Sequence, residues 1–166
     1  MKYAKINMTD IANGPGVRVS LFVSGCRRHC PGCHNPQAWD FWFGEPFTKT
    51  TTRRIISRLG EDFIDGLSIL GGEPFEPDNA GTVWEIISEV KRVHPTKSIW
   101  VYSGDTYNGL HYRFSDDLLS MIDVLVDGPY IEAERDITLK FRGSRNQRIV
   151  DVPKSLSTGG IVLYEV

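Results

Sequence analysis

The chain has 166 residues, of which 40% are hydrophobic and 24% are charged, and its formal net charge at pH 7 is -2. These values are typical of one globular domain large enough to bury a core, and the slight negative charge gives no electrostatic support for a nucleic-acid partner. No apolar run approaches the ~20 residues that a membrane-spanning helix needs, and the N-terminus lacks the apolar segment of a secretory signal. We therefore expect a cytoplasmic protein with no membrane partner.

The first predicted strand leads directly into a loop that contains every cysteine of the chain. Residues 17–23 alternate in polarity and are rich in β-branched and aromatic side chains, which predicts a strand. Cys26, Cys30 and Cys33 follow it, separated by three and two residues. Because α/β folds place their chemistry at the carboxyl ends of strands, we interpret this loop as a candidate metal centre.

Three neighbouring thiols are compatible with more than one kind of site. Four thiolates supply a protein ligand to every iron of a [4Fe-4S] cluster, whereas three leave one iron free to bind a reactant. A zinc site of the Cys3His type, with His29 or His34 as the fourth ligand, is an alternative, and three buried structural cysteines are another. A disulfide framework is disfavoured because the number of cysteines is odd and the sequence shows no secretory signal.

Beyond the cysteine loop, predicted helices and strands alternate along the chain. The pattern predicts a helix over 48–59, a strand over 66–70, a helix begun by the capping box Thr82-x-x-Glu85 and ended by Pro95, a strand over 98–102, a helix capped at 115–117 and a strand over 123–127. This order is typical of βαβ units with parallel strands. A closed eightfold barrel typically needs ~250 residues, so we expect an α/β fold with an open, partial (β/α) barrel of mostly parallel strands.

Two of these strands end in small-residue turns that are candidate ligand sites. The first turn is Gly71-Gly72-Glu73-Pro74, in which the glycines allow close approach to the backbone and Glu73 adds a carboxylate. A phosphate-binding P-loop needs a lysine after its second glycine, and the negative charge found there would repel phosphate. The turn therefore favours a cationic ligand. The second turn is Ser103-Gly104-Asp105.

The C-terminal third of the chain has a different character. Residues 137–141, 147–152 and 161–166 are strand-like and lack intervening helices, which predicts a β-rich edge over about 131–166, after a core over about 6–130. The basic side chains of this region are Lys140, Arg142, Arg145 and Arg148. Either they form a solvated strand face, or Arg142 and Arg145 bind a carboxylate of a partner protein or ligand.

The cysteine loop and several later blocks resemble a known family. Cys26-x3-Cys30-x2-Cys33 is similar to the cluster motif of the radical S-adenosylmethionine (SAM) superfamily. The blocks around it that resemble the glycyl-radical activating enzymes are 13–18, 21–25 and His34-Asn35. The blocks that resemble the branch activating anaerobic ribonucleoside-triphosphate reductase are Gly71–Pro74, Trp100–Gly104, Val124–Gly128 and Arg142–Gln147. A branch that activates another glycyl-radical enzyme, such as pyruvate formate-lyase, is the alternative. The similarity covers about residues 6–152, which implies a single domain over 1–166.

The resemblance implies an oxidoreductase that uses a cluster and SAM together. Cys26, Cys30 and Cys33 would hold a [4Fe-4S] cluster, and SAM would bind the open iron through its amino and carboxylate groups. A flavodoxin-like donor would supply an electron that splits SAM into methionine and a 5′-deoxyadenosyl radical. That radical would remove a hydrogen atom from a glycine of the partner reductase.

The resemblance also implies which residues contact SAM: Gly32, Cys33, His34, Gly71, Gly72, Glu73 and Ser103. In this assignment the turn at 71–74 binds the SAM amino group, and the backbone from Gly32 to His34 supports the adenine. The alternative for His34 is a structural hydrogen-bond donor. Two positions depart from the family pattern, since Gly32 and Asp105 stand where many members have an aromatic residue. The part that these two positions play in adenosine binding stays open.

Overall fold

One seven-stranded sheet forms the centre of the computed structural model, which describes residues 1–166. Its strands are β1 (Lys2–Asp10), β2 (Arg18–Val23), β3 (Glu45–Pro46), β4 (Gly66–Gly71), β5 (Ser98–Tyr102), β6 (Val124–Asp127) and β7 (Arg148–Asp151). Their order across the sheet is β3-β1-β2-β4-β5-β6-β7, with β3 and β7 at the two edges. The fold is therefore α/β with a sheet that does not close.

The sheet is mixed rather than mostly parallel. β2, β4, β5 and β6 pair in parallel, as the alternation of predicted strands and helices indicates. β1 and β3 are added antiparallel at one edge, and β7 pairs antiparallel with β6 at the other. β1 is missing from the sequence-based prediction, and it forms because its backbone pairs along most of its length with β2. The expectation of mostly parallel strands thus holds only for the centre of the sheet.

Five helices accompany the strands: α1 (Lys49–Leu59), α2 (Pro77–Val93), α3 (Tyr107–Arg113), α4 (Asp116–Leu119) and α5 (Val152–Thr158). The helix predicted over 48–59 forms as α1, and it begins after Thr48, whose hydroxyl accepts a hydrogen bond from Thr51 N. Ser115 caps α4 in the same way, as predicted. None of the five helices combines the length and the apolar character needed to cross a membrane.

The predicted start of α2 is wrong. The capping box at Thr82 lies inside the helix, which begins at Pro77. Proline is favoured at the first helical position because its fixed φ suits the helix and its missing N–H would have no partner there. The side chain of Asn79 then ties the first turn to the rest of the fold by donating to the carbonyl oxygens of Ser24 and Glu73, both at 3.0 Å.

The C-terminal region is less β-rich than the sequence pattern predicts. Of the three expected strands only the one at 147–152 forms, as β7, while 137–141 lies in turns and 161–166 contributes one bridge, from Leu163 to Val150. The helix α5, which the sequence pattern does not predict, lies between β7 and residues 161–166. Phe141 has a φ of 55°, which a strand does not allow, and its ring packs edge-on against Trp100 with centroids 5.6 Å apart. Packing over the sheet replaces strand pairing here.

The two faces of the central strands differ in composition. The face that we call the helix face carries apolar side chains such as Leu21 and Ile69, which pack under α1 and α2. The opposite face, which we call the polar face, carries Arg18, Ser20, Ser68, Ser98, Trp100 and Tyr102. Successive side chains of a strand point to opposite faces, so the alternation along β2, β4 and β5 produces this division.

Candidate metal and cofactor site

A cavity of about 140 Å³ lies at the carboxyl ends of β2, β4, β5 and β6. Most of the residues that the sequence assigns to the site line it: Cys26, Cys30, Cys33, His34, Gly71, Gly72, Glu73 and Ser103. Gly32 is the exception, because it lines an adjoining hollow of about 340 Å³ that shares His34 and Tyr130 with the cavity. The fold thus brings the cysteine loop and both strand-end turns to one place.

Backbone hydrogen bonds hold the cysteine loop against two other segments. Gly25 N donates to Ala38 O at 2.8 Å, and Cys26 N donates to Trp39 O at 3.1 Å. Glu73 N donates to Gly25 O at 2.9 Å, which joins the loop to the turn after β4. Gly25 has a φ of 102°, a conformation that side chains other than glycine rarely adopt. The position of the thiols is therefore set by backbone contacts around Gly25.

Packing within the chain gives Gly71 and Gly72 a second role. A Cβ atom at Gly71 would lie 2.6 Å from the backbone nitrogen of Val23, and one at Gly72 would lie 2.6 Å from the carbonyl oxygen of Gly25. The sequence-based interpretation assigns these glycines to the approach of a ligand. The structure adds that they allow the turn to pack directly on β2 and on the cysteine loop.

The three thiols face the same cavity from different depths. Cys26 is buried, and burial raises the pKa of its thiol above the ordinary value, whereas Cys30 and Cys33 are half-buried. No three His, Cys, Asp or Glu side chains converge closely enough to hold a single metal ion. Three sulfur donors around one cavity fit the ligand chemistry of an iron–sulfur cluster. Of the two histidines considered as zinc ligands, His34 lines this cavity and His29 stacks on a tryptophan ring.

Glu73 is the buried carboxylate of the cavity, with only 3% of its surface exposed. Its Oε1 accepts hydrogen bonds from Phe75 N at 3.0 Å and from Ser103 Oγ at 2.8 Å. Its Oε2 accepts from Gly104 N at 2.7 Å and from Arg28 Nε at 3.4 Å. Desolvation by burial raises the pKa of Glu73, although these donors act in the opposite direction. A cationic ligand beside this carboxylate would offset the cost of burying its charge.

Arg28 and Asp105 form an ion pair at the side of the cavity. Arg28 Nη2 donates to Asp105 Oδ1, and the other oxygen of Asp105 accepts from Arg113 Nη1 at 2.5 Å. The stem of Arg28 crosses Gly104 so closely that a Cβ atom there would collide with it. In this chain, therefore, Asp105 stands where many family members have an aromatic residue, and it binds the side chains of Arg28 and Arg113.

Several lining residues were missed by the sequence analysis: Arg28, Trp39, Tyr102, Tyr130 and Gln147. The hydroxyl of Tyr102 is buried without a hydrogen-bond partner, and burial raises the pKa of this phenol. An unpartnered buried polar atom is costly, so a ligand that supplied an acceptor would be favoured there. Tyr102 and Gln147 belong to the 100–104 and 142–147 blocks that resemble the family, whereas Arg28, Trp39 and Tyr130 carry no pattern that could have identified them.

The two arginines assigned to carboxylate binding lie away from the thiols. Arg142 lines two adjoining hollows and donates to Gln147 O at 2.8 Å. Arg145 is exposed and faces Asp136 across 3.7 Å. Neither lines the thiol cavity, so the cationic side chain next to Glu73 is Arg28.

Comparisons with known proteins agree with these features. A family model described as a 4Fe-4S single cluster domain matches residues 12–150. The chain is 38% identical over 155 residues to the anaerobic ribonucleoside-triphosphate reductase-activating protein of Enterobacteria phage T4, covering 90% of this chain and 93% of that protein. It is 39% identical over 152 residues to the protein of that name from Escherichia coli K12 (89% and 96% covered). For the one from Vibrio cholerae the identity is 41% over 151 residues (90% and 97% covered).

Proposed function

Because this chain belongs to the family of anaerobic ribonucleoside-triphosphate reductase-activating proteins, we propose that it generates a glycyl radical on such a reductase by cleaving SAM at a [4Fe-4S] cluster. The observation that carries the proposal is that three thiols and a buried carboxylate line one cavity. A reduced [4Fe-4S] cluster, when bound, supplies the electron that splits SAM into methionine and the 5′-deoxyadenosyl radical that takes a hydrogen atom from glycine. The residues of the chain itself would bind and orient the cluster and SAM.

The thiols of Cys26, Cys30 and Cys33 are the proposed cluster ligands. All three line the cavity, Cys26 as a buried side chain and Cys30 and Cys33 as half-buried ones. Three thiolates would leave one iron of such a cluster without a protein ligand, and Glu73 lines the same cavity. Such an open position is what a substrate needs in order to bind the metal directly.

Glu73 is the proposed acceptor for the ammonium group of SAM. Ser103 donates to one carboxylate oxygen at 2.8 Å and so fixes its orientation. The backbone around Gly32 and His34 would support the adenine. Gly71 and Gly72 would contribute by keeping the turn packed against the cysteine loop, as described above.

The sheet would act as a partial (β/α) barrel whose open side admits a loop of the reductase. The hollow next to the cavity, about 310 Å³ in volume and lined in part by Asn13, Phe141 and Arg142, is the proposed path for that loop. Arg142 and Arg145 would contact acidic groups of the reductase. A flavodoxin-like protein is the proposed source of the electron.

Anaerobic reconstitution with iron and sulfide, reduction, and addition of SAM together with the reductase would test the proposal. We expect release of 5′-deoxyadenosine and a glycyl-radical doublet in electron paramagnetic resonance. Cys30→Ser should abolish both, because a serine hydroxyl does not replace a thiolate ligand. His29→Gln is a matched control in the same loop and should retain both signals.

Each other outcome has a distinct meaning. Cleavage of SAM without a radical on the reductase would retain the chemistry and reject the partner. A colourless protein that binds one zinc ion and no sulfide would reject the cluster and support the zinc module considered from the sequence.

A further inference from the structure

Glu73 has no free acceptor position. A carboxylate offers about four lone-pair sites, and in Glu73 they are taken by the donors Phe75 N, Ser103 Oγ, Gly104 N and Arg28 Nε. Three of these bonds measure 2.7–3.0 Å and come from the strand-end turns themselves. The contact with Arg28 is the longest, at 3.4 Å, and comes from a flexible side chain. An incoming ammonium group can therefore bind Glu73 at the lowest cost in free energy by taking the place of Arg28.

Arg28 can release Glu73 without leaving the cavity. Its Nη2 is held by Asp105, which Arg113 holds in turn, and Arg113 also donates to Phe75 O at 2.7 Å. Its Nη1 has no hydrogen-bond partner, and the side chain is 31% exposed along the cavity wall. Displacement from Glu73 would leave the guanidinium anchored, with Nε and Nη1 free to donate.

We propose that Arg28 recognises the carboxylate at the amino-acid end of the ligand while Glu73 binds the ammonium group of the same end. The inference rests on the proposed function, since SAM supplies both groups. In an α-amino acid the two groups are attached to one carbon atom, and here the carboxylate and the guanidinium that would meet them lie in contact. A guanidinium–carboxylate pair is charge-assisted and can be bidentate, which favours this match over a single neutral donor. Arg28 is then a binding residue that selects nucleosides with a zwitterionic tail.

Arg27 provides a control from the adjacent position. It belongs to the same loop and carries the same charge, but its side chain is 60% exposed and pairs with Glu76 and Asp78. It does not line the cavity. A glutamine at position 27 therefore removes the same charge from the cysteine loop without touching the proposed contact.

The experiment measures dissociation constants by calorimetry for SAM and for 5′-methylthioadenosine, which lacks the amino-acid end. The anaerobically reconstituted protein is compared with Arg28→Gln and Arg27→Gln, after iron and sulfide contents have been matched. We expect Arg28→Gln to weaken SAM binding by about 10-fold or more, the range for loss of a charge-assisted hydrogen bond. Binding of 5′-methylthioadenosine should stay unchanged, and Arg27→Gln should alter neither constant.

Other results would overturn the inference. Unchanged or tighter SAM binding in Arg28→Gln would mean that the guanidinium only blocks Glu73, and equal weakening of both nucleosides would mean that it acts through the loop. If Arg28→Gln does not retain its cluster, Asp105→Asn tests the same contact by removing the anchor, and it should weaken SAM selectively by a smaller factor. Failure of the unaltered protein to bind SAM would refute the proposed function itself, and with it this inference.

Discussion

The two faces of the central strands are built from alternate residues of the same short segments, yet they have different roles. On the helix face, Leu21 and Ile69 are fully buried among aliphatic side chains. On the polar face, Arg18 is equally buried but donates to Ser68 Oγ at 2.7 Å and to Ser98 O at 2.9 Å. The helix face therefore supplies non-directional hydrophobic stability, whereas the polar face depends on specific partners. So do the cysteine loop and the strand-end turns at 71–74 and 103–105, which we call the rim of the polar face. Substitutions on the two faces should separate stability from chemistry.

The largest effect should come from the rim of the polar face. Cys33→Ser should remove cluster binding altogether, because it deletes one of only three thiolate ligands. The free energy of unfolding of the metal-free protein should change by no more than about 0.5 kcal/mol, since Cys33 is only half-buried. Iron and sulfide analysis and chemical denaturation measure the two quantities. A metal-free variant that no longer folds would show that rim and core are not separable.

The next effect should come from the helix face. Leu21→Ala should lower the free energy of unfolding by about 2–5 kcal/mol, because it leaves a cavity in a fully buried position. The cluster content per folded molecule should stay the same. Leu163→Ala removes the same atoms at a side chain that is 58% exposed, and it should cost less than about 1 kcal/mol. Similar losses in both variants would contradict the assignment of the core to the helix face.

A smaller effect should come from the buried cation of the polar face. Burial lowers the pKa of Arg18 to about 10, and its guanidinium also lies 5.7 Å from the ring centroid of Trp100. Arg18→Met would leave the carbonyl oxygens of Leu67 and Ser98 without this donor, at a cost of about 1–3 kcal/mol in chemical denaturation. Arg53→Met removes an exposed arginine and should change stability by less than about 0.5 kcal/mol. An Arg18→Met protein of unchanged or higher stability would show that packing replaces these hydrogen bonds.

The smallest effect concerns pH. Burial acts to raise the pKa of Asp10, but hydrogen bonds from Ser20, Ala12 N and Asn13 lower it below the ordinary value of 3.8. A lowered carboxyl pKa means that ionised Asp10 stabilises the fold above about pH 4, and that this contribution is lost as the pH falls through the folded-state value. Asp10→Asn should therefore flatten the acid side of the stability profile by up to about 1 kcal/mol, measured by denaturation between roughly pH 3 and pH 7. Asp62→Asn, on the surface, should reproduce the unaltered profile.

The parallel centre of the sheet could be predicted from the sequence, and its edges could not. β5 has the predicted bounds because its apolar run is short, rich in β-branched and aromatic residues, and closed by a small-residue turn. β1 and the 137–141 segment depend on partners elsewhere in the chain. β1 forms by pairing with β2, whereas Phe141 turns out of a strand conformation to pack on Trp100. Local periodicity cannot distinguish these two results, because non-local contacts decide between them.

The sequence by itself determined the donor chemistry of the site. Thiols at fixed spacing, and glycines followed by a carboxylate, are recognisable from residue type and order, because metal ligation and close backbone approach require those residue types. Only the tertiary structure decided which cation lies beside Glu73. Arg28 and Asp105 are separated by 77 positions, and they meet because the cysteine loop folds back over the end of β5. Charged side chains carry no periodic signal of their partners, so such a pair emerges only when the chain is folded.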